Sequence, residues 1–167
     1  MTTKQDFTPE EWAKIRDSVM LASLAVTAAD PSGLFGTIKE AIAGGSAMLA
    51  AKKDADANEL VKAVVADFES SDVQKEMRES AKERFRGAKA SEISKRSIDA
   101  IAEVGSLLDA KASPADAVAF KAWLHGISLK VAEASKEGGF LGFGGVQVSD
   151  AEKATIAEVS KALNITA

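Results

Sequence analysis

Apolar residues recur every three or four positions along most of the chain, which is the spacing of one face of an α-helix. One such stripe runs from Trp12 to Ala29, and a similar stripe runs from Ala117 to Ala134. Further helices are predicted at about 34–52, 58–68, 71–86, 91–110 and 150–163. No segment shows the alternation of a strand. The pattern therefore predicts an all-α fold, a bundle of six to eight helices in one domain over 1–167.

Capping residues mark where several of these helices begin. Thr8 precedes Pro9 and Glu11, so it is the expected N-cap of a capping box, and Phe7 can pack on Trp12. The same kind of start is predicted at three later places, which are Ser71 with Gln74, Ser113 with Pro114 and Asp116, and Ser149 with Glu152.

Two parts of the chain match when the sequence is shifted by 105 positions. Residues 8–35 then align without a gap on residues 113–140, and seven of the 28 pairs are identical. The caps, the apolar stripes and the terminal Gly-x-Phe coincide. We therefore expect two related helical hairpins, 8–52 and 113–165, around a pseudo-twofold axis, with the middle helices at 56–110 between them.

Composition narrows the function classes. The chain is 46% hydrophobic and 28% charged, as in ordinary globular proteins, and it contains no cysteine. Disulfides and thiolate chemistry are therefore excluded. No apolar run is long enough for a membrane span, and the net charge of −4 does not favour nucleic acid as a partner. We expect a soluble cytoplasmic protein without peripheral membrane contact.

The residues of common catalytic sites are scarce. His125 is the one histidine, which excludes the usual zinc sites, and no Gly-x-Ser-x-Gly elbow accompanies it. The glycine-rich stretch 138–145 lacks the Gly-Lys-Ser/Thr of a phosphate loop. We expect His125 to serve packing or the surface, and we expect no enzyme.

Three features are candidates for contact with a partner. Phe140, Leu141 and Phe143 either plug the end of the bundle or form an exposed apolar knob. Gly44 and Gly45, inside a predicted helix, allow close approach of another backbone, or else mark a kink or a ligand contact. Eight basic residues between 75 and 96 are interleaved with four glutamates, as on a solvated face or a patch for an anionic partner.

The stretch 137–153 reads EGGFLGFGGVQVSDAEK and is followed by a helix that ends in Ala-Leu-Asn-Ile. It resembles a hairpin of the tellurite-resistance TerB-like domains, and 29–33 resembles it more loosely. The full-length pattern is also similar to helical proteins of bacteria. TerB-like domains are all-helical with related halves and carry acidic residues associated with divalent metal. The resemblance implies Asp30, Glu137 and Glu152 as ligands for Ca²⁺ or Mg²⁺, which take oxygen ligands.

These observations leave two function classes. The first is a non-enzymatic protein–protein interaction module, with a protein partner or a second copy of the chain, acting through Ala/Gly-rich helix faces or the glycine–phenylalanine loop. The alternative is a TerB-like stress-response domain that binds a divalent metal through turn carboxylates.

Overall fold

The structure, a computed structural model, describes residues 1–29, 57–136 and 148–165. In these ranges the chain forms six α-helices and a short 3₁₀-helix at Lys4–Asp6, with no strand. The helices are α1 (Pro9–Thr27), α2 (Glu59–Asp67), α3 (Ser71–Arg84), α4 (Ala90–Lys111), α5 (Pro114–Lys136) and α6 (Asp150–Ala162). The all-α bundle predicted from the spacing of apolar residues is confirmed.

Four of the helices form the centre of the bundle, since α1, α4, α5 and α6 each pack against the other three. Helices α1 and α4 are antiparallel. Lys111 at the end of α4 pairs with Glu11 at the start of α1 at 2.7 Å. At the opposite end, the Ser94 hydroxyl of α4 donates to the carbonyl of Ala25 at 2.8 Å.

Helix α5 runs antiparallel to α4, because only two residues connect them and Lys121 pairs back with Asp109, and it therefore runs parallel to α1. The Ser128 hydroxyl of α5 donates to the Ala22 carbonyl of α1 at 3.1 Å, which joins two positions well along both helices. Gly105 of α4 lies against Ala162 of α6, and a Cβ on Gly105 would come within 2.9 Å of the Ala162 carbonyl oxygen. The absence of a side chain at Gly105 therefore lets α4 and α6 approach closely.

The two apolar stripes form much of the core. The 105-residue register requires burial of both members of the pairs Val19/Leu124 and Val26/Val131, and all four side chains are at most 3% exposed. That condition is met. The duplication itself stays a prediction, because residues 34–52, the second helix of the first predicted hairpin, lie outside the described residues.

The predicted caps of α1 and α6 are confirmed, and the predicted cap of α3 is wrong by one residue. Thr8 and Ser149 accept from the backbone of Glu11 and Glu152, whose carboxylates bind back to the cap amides. For α3 the N-cap is Ser70, whose hydroxyl accepts from the Val73 amide. The expected box at Ser71 does not form, because the Gln74 side chain donates to the carbonyl of Phe68 at 2.7 Å instead.

The start of α5 repeats only half of the capping box. The Asp116 amide donates to the Ser113 hydroxyl at 3.3 Å, as predicted. The Asp116 carboxylate does not return to the Ser113 amide; it accepts from the Thr2 amide at 2.6 Å and from Asn58 Nδ2 at 2.7 Å. The Ser113 amide donates to the Thr2 hydroxyl at 2.8 Å. The beginning of the chain thus completes the cap of α5, which residues 113–116 alone do not predict.

An aromatic and ionic contact fixes α2 to the start of α1. The Asp67 carboxylate accepts from the indole of Trp12 at 2.6 Å and pairs with Lys4 at 2.8 Å. Burial alone raises the pKa of Asp67, but the hydrogen bonds from Lys4 and Trp12 outweigh it and lower that pKa below its usual value. Phe7 packs on Trp12 with ring centroids 6.1 Å apart, as its place before the N-cap predicts.

Candidate functional site

Most of the residues that the sequence offers as a site lie outside the described residues. These are Asp30 and Glu137 of the implied metal site, and Gly44, Gly45, Phe140, Leu141 and Phe143 of the candidate interaction surfaces. Their predicted roles therefore stay predictions.

Glu152, the third implied metal ligand, lies in the described part of α6. It is 5% exposed, and its carboxylate accepts from the Ser149 amide at 2.8 Å as part of the capping box. In the part of the chain that the structure describes, no three carboxylate or imidazole side chains come together as a metal site requires. The role that the structure gives Glu152 is to hold the first turn of α6.

The outward side of α5 is the most unusual described surface. Over its first four turns this helix turns no charged side chain outward, because Asp116 is held in the cap described above and Lys121 is 4% exposed. We call the following set the outer face of α5: Ala115, Val118, Ala122, His125, Gly126 and Leu129. Val118 is 68% exposed and Leu129 is 38% exposed, although the chain is 28% charged overall. Val118 and Leu129 lie about three turns apart on this face.

Lys121 is removed from this surface by a specific ion pair. Its ammonium lies 2.6 Å from Asp109 of α4, and the contact lowers the pKa of the Asp109 carboxyl. In the alignment of the chain on itself with a shift of 105 positions, Lys121 is matched with Arg16 of α1. Arg16 is also buried, at 6% exposure. Arg16 pairs with Asp17 at 3.3 Å and with Glu76 of α3 at 3.4 Å. Both long cations are therefore held by acidic groups of the chain itself.

The side of α1 that aligns with the outer face of α5 is covered by α3. Asp17 stands where α5 has Ala122, and it is 6% exposed because it accepts from Ser80 of α3 at 3.1 Å. Burial raises the pKa of Asp17. Leu21, which matches Gly126, is 2% exposed. Helix α3 thus contacts this side of α1, while no described helix covers the same side of α5.

No contact with the described residues explains a glycine at position 126, in the middle of α5. A Cβ added there would meet nothing within 4 Å, unlike one at Gly105. A helix-interior glycine costs about 1 kcal/mol relative to alanine. Gly105 thus serves a close contact inside the bundle, whereas Gly126 serves none among the described residues.

His125 joins the outer face of α5 to α6. Its Nε2 lies 2.8 Å from the Ser160 hydroxyl, which sequence reasoning missed because 35 residues separate the two. Burial lowers the pKa of His125. A hydroxyl–imidazole pair becomes nucleophilic when a third group orients the ring. Among the residues that the structure describes, the hydrogen bond to Ser160 is the one polar contact of this imidazole.

The basic stretch 75–96 is mostly solvated, as one of the two interpretations expects. Arg86 pairs with Glu83, Lys95 pairs with Asp99, and the Arg96 guanidinium donates to the Arg84 carbonyl. The exposed lysines of α3 and of the α3–α4 turn form no ion pair with another described residue; they are Lys75, Lys82 and Lys89. The charge of this stretch is therefore spread along α3 and the start of α4.

Comparison with known proteins adds no relative to this picture. No model of a protein family, no curated protein and no solved structure matches the chain. Within the described helices, none is long and apolar enough to cross a membrane.

Proposed function

We propose that this chain is a non-enzymatic protein–protein interaction module that associates with a second copy of itself through the outer face of α5. The observation that carries the proposal is the uncharged, exposed side of α5, with Val118 at 68% exposure and an otherwise unexplained glycine at position 126. The absence of cysteine fits a reducing compartment, and we place the protein in the cytoplasm.

A second copy fits this face because two copies of the face can meet without repulsion between like charges. In a twofold dimer the same patch is used by both chains, so any charge on it would lie near its own copy. The six residues of the outer face carry no formal charge while His125 is neutral, and the exposed charged residues that follow them on the next turn, Lys130 and Glu133, have opposite signs. The face also offers small residues, Ala115, Ala122 and Gly126, which let two helix axes approach closely.

The size of the face sets the expected strength. Standard stable interfaces bury about 800 Å² on each partner. Contact along one helix is smaller than that, and we therefore expect a dimer that dissociates in the micromolar range. A weak dimer of this kind suits reversible association.

Sedimentation velocity over a range of about 5 to 500 µM, chosen for an interface of this class, tests the proposal. The wild-type chain should shift from monomer to dimer with rising concentration. Val118→Glu should stay monomeric, because the dimer would bury an unpaired carboxylate from each chain. The matched control is Ser106→Glu, which adds the same charge at an exposed position of α4 and should associate like the wild type.

Two results would overturn the proposal. One is a wild-type chain that stays monomeric at the highest concentration. The other is a Val118→Glu variant that associates as the wild type does. Circular dichroism of each variant shows whether the helices are intact, so a loss of association is not mistaken for a loss of fold.

A further inference from the structure

The outer face of α5 contains one group whose charge changes near neutral pH. His125 lies two turns from Val118 and one turn from Leu129, so the imidazole sits between the two exposed apolar side chains. It is the one histidine of the chain. Its Nε2 is held 2.8 Å from the Ser160 hydroxyl of α6, which keeps the ring at the α5–α6 boundary of this face.

The charged groups around the ring do not supply a counter-ion. On α5, Lys121 is one turn away and is taken up by Asp109 of α4, and Lys130 and Glu133 follow beyond the ring as exposed groups. On α6, Ile156 lies one turn before Ser160 and carries no charge. The exposed Glu158 and Lys161 line a groove between α6 and α4.

The three other described helices that pack on α5 direct their charges elsewhere. On α4, Asp109 binds Lys121, Glu103 pairs with Lys14 and Lys111 pairs with Glu11. On α1, Arg16 and Asp17 bind each other and α3. On α2, Lys62 pairs with Glu59 at 3.0 Å. No described carboxylate forms an ion pair with the imidazole, so protonation would place on the outer face of α5 a positive charge that no described residue pairs.

We propose that His125 makes the self-association of this chain depend on pH, with the neutral imidazole permitting the dimer and the protonated imidazole opposing it. The inference rests on the proposed function, since it concerns the same face. A second copy would cover the ring and remove it from water, which penalises the charged form. The twofold arrangement brings one such ring from each chain into the interface, so the penalty applies twice.

The direction follows from proton linkage. Burial already lowers the pKa of His125 in the single chain, and further burial in the dimer lowers that pKa again. The dimer then binds fewer protons than two monomers, and lowering the pH favours the monomers. With two histidines per dimer, the dissociation constant rises by at most about 100-fold per pH unit between the two pKa values. We expect it to rise several-fold, roughly, between pH 7.5 and pH 5.5.

The first experiment measures the dissociation constant of the wild type by sedimentation velocity at both pH values. His125→Gln keeps a hydrogen-bonding group toward Ser160 and cannot be protonated, so its two constants should be nearly equal, whatever its absolute affinity. His125→Arg is charged at both values and should be monomeric at both. The control Ser106→Glu should keep the wild-type ratio, and circular dichroism at pH 5.5 confirms that the chains stay folded.

The second experiment uses the fact that the histidine is unique. A carbon–proton NMR titration of the imidazole in the wild type should give a lower pKa at high concentration than at a concentration where the chain is monomeric. A wild-type dimer whose constant does not change with pH, a His125→Gln variant that keeps the pH dependence, or equal pKa values in the two samples would each overturn this inference and leave the proposed function standing. A wild type that is monomeric at both pH values would overturn the proposed function first.

Discussion

The carboxylate of Asp116 lies 2.6 Å from the backbone amide nitrogen of Thr2, a residue 114 positions earlier in the chain. The same carboxylate oxygen accepts from the Ser113 hydroxyl at 2.7 Å, and the other oxygen accepts from Asn58. Three separate segments therefore converge on one 8%-exposed side chain.

Replacement of Asp116 by alanine should lower the free energy of unfolding by about 1–3 kcal/mol. The change leaves the Thr2 amide and the Asn58 side chain without their acceptor in a buried place. Urea denaturation measures the effect. Asp72→Asn, an exposed acidic position in the first turn of α3, should change the same quantity by less than about 0.5 kcal/mol. An equal effect at both positions would show that the convergence on Asp116 contributes nothing.

The same side chain predicts an acid-dependent loss of stability. The hydrogen bond from Ser113, with those from Thr2 and Asn58, lowers the pKa of Asp116 below its usual range. A lowered folded-state pKa means that the ionised form stabilises the fold above the ordinary value of about 4, and that this contribution is lost as the pH falls below it. Urea midpoints between about pH 2.5 and 6 should therefore fall more steeply for the wild type than for Asp116→Asn. Parallel curves would contradict the assignment.

The two helical glycines of the described chain should respond oppositely to alanine. Gly105→Ala places a Cβ 2.9 Å from the Ala162 carbonyl, so α4 and α6 must separate and the protein should lose stability. Gly126→Ala meets open space and should gain about 0.5–1 kcal/mol from helix propensity. Thermal unfolding of both variants, measured at a concentration where the chain is monomeric, tests the pair. Stabilisation by Gly105→Ala would mean that the α4–α6 contact is looser than described.

Valine-to-alanine changes at three positions test the stripes. Val26 and Val131 are at most 1% exposed. Replacement of either by alanine should lower the free energy of unfolding by roughly 2 kcal/mol, because a buried cavity remains. Val118 is 68% exposed, so its replacement by alanine should lower the free energy of unfolding by less than about 0.5 kcal/mol. Chemical denaturation gives all three values. A large cost at Val118 in the monomer, or a negligible one at Val131, would contradict the assignment of the inner and outer sides of α5.

The sequence predicts features of this fold that depend on neighbouring residues. The boxes at Thr8 and Ser149 form as expected, because cap and partner lie three residues apart, and the ion pair of Glu11 with Lys111 does not displace the box at Thr8. At the start of α3, Ser70 takes the N-cap position in place of Ser71, and the Phe68 carbonyl accepts from the Gln74 side chain. The box predicted at Ser71 therefore does not form. Local pattern alone could not decide between these alternatives.

Contacts between distant segments escape prediction from a single sequence. Nothing near Ser113 shows that its helix will be capped by Thr2, and nothing near His125 shows that α6 will bring Ser160 to it. The outer face of α5 was missed for a related reason. Val118 and Leu129 belong to an Ala-rich helix that could have been buried on all sides, and only the packing of α1, α4 and α6 on the opposite side shows that these residues face water.

The hydrogen bonds of α1 to α4 and α5 mean that α1 must wait for its partners while the chain is being synthesised. The carbonyls of Ala25 and Ala22 receive hydroxyls from serines 69 and 106 residues later. A ribosome adding about 5–20 residues per second needs several seconds to deliver those serines after α1 has emerged. During that interval the apolar stripe of α1 lacks its α4 and α5 partners, so the nascent chain offers a binding site for chaperones until α5 has left the exit tunnel.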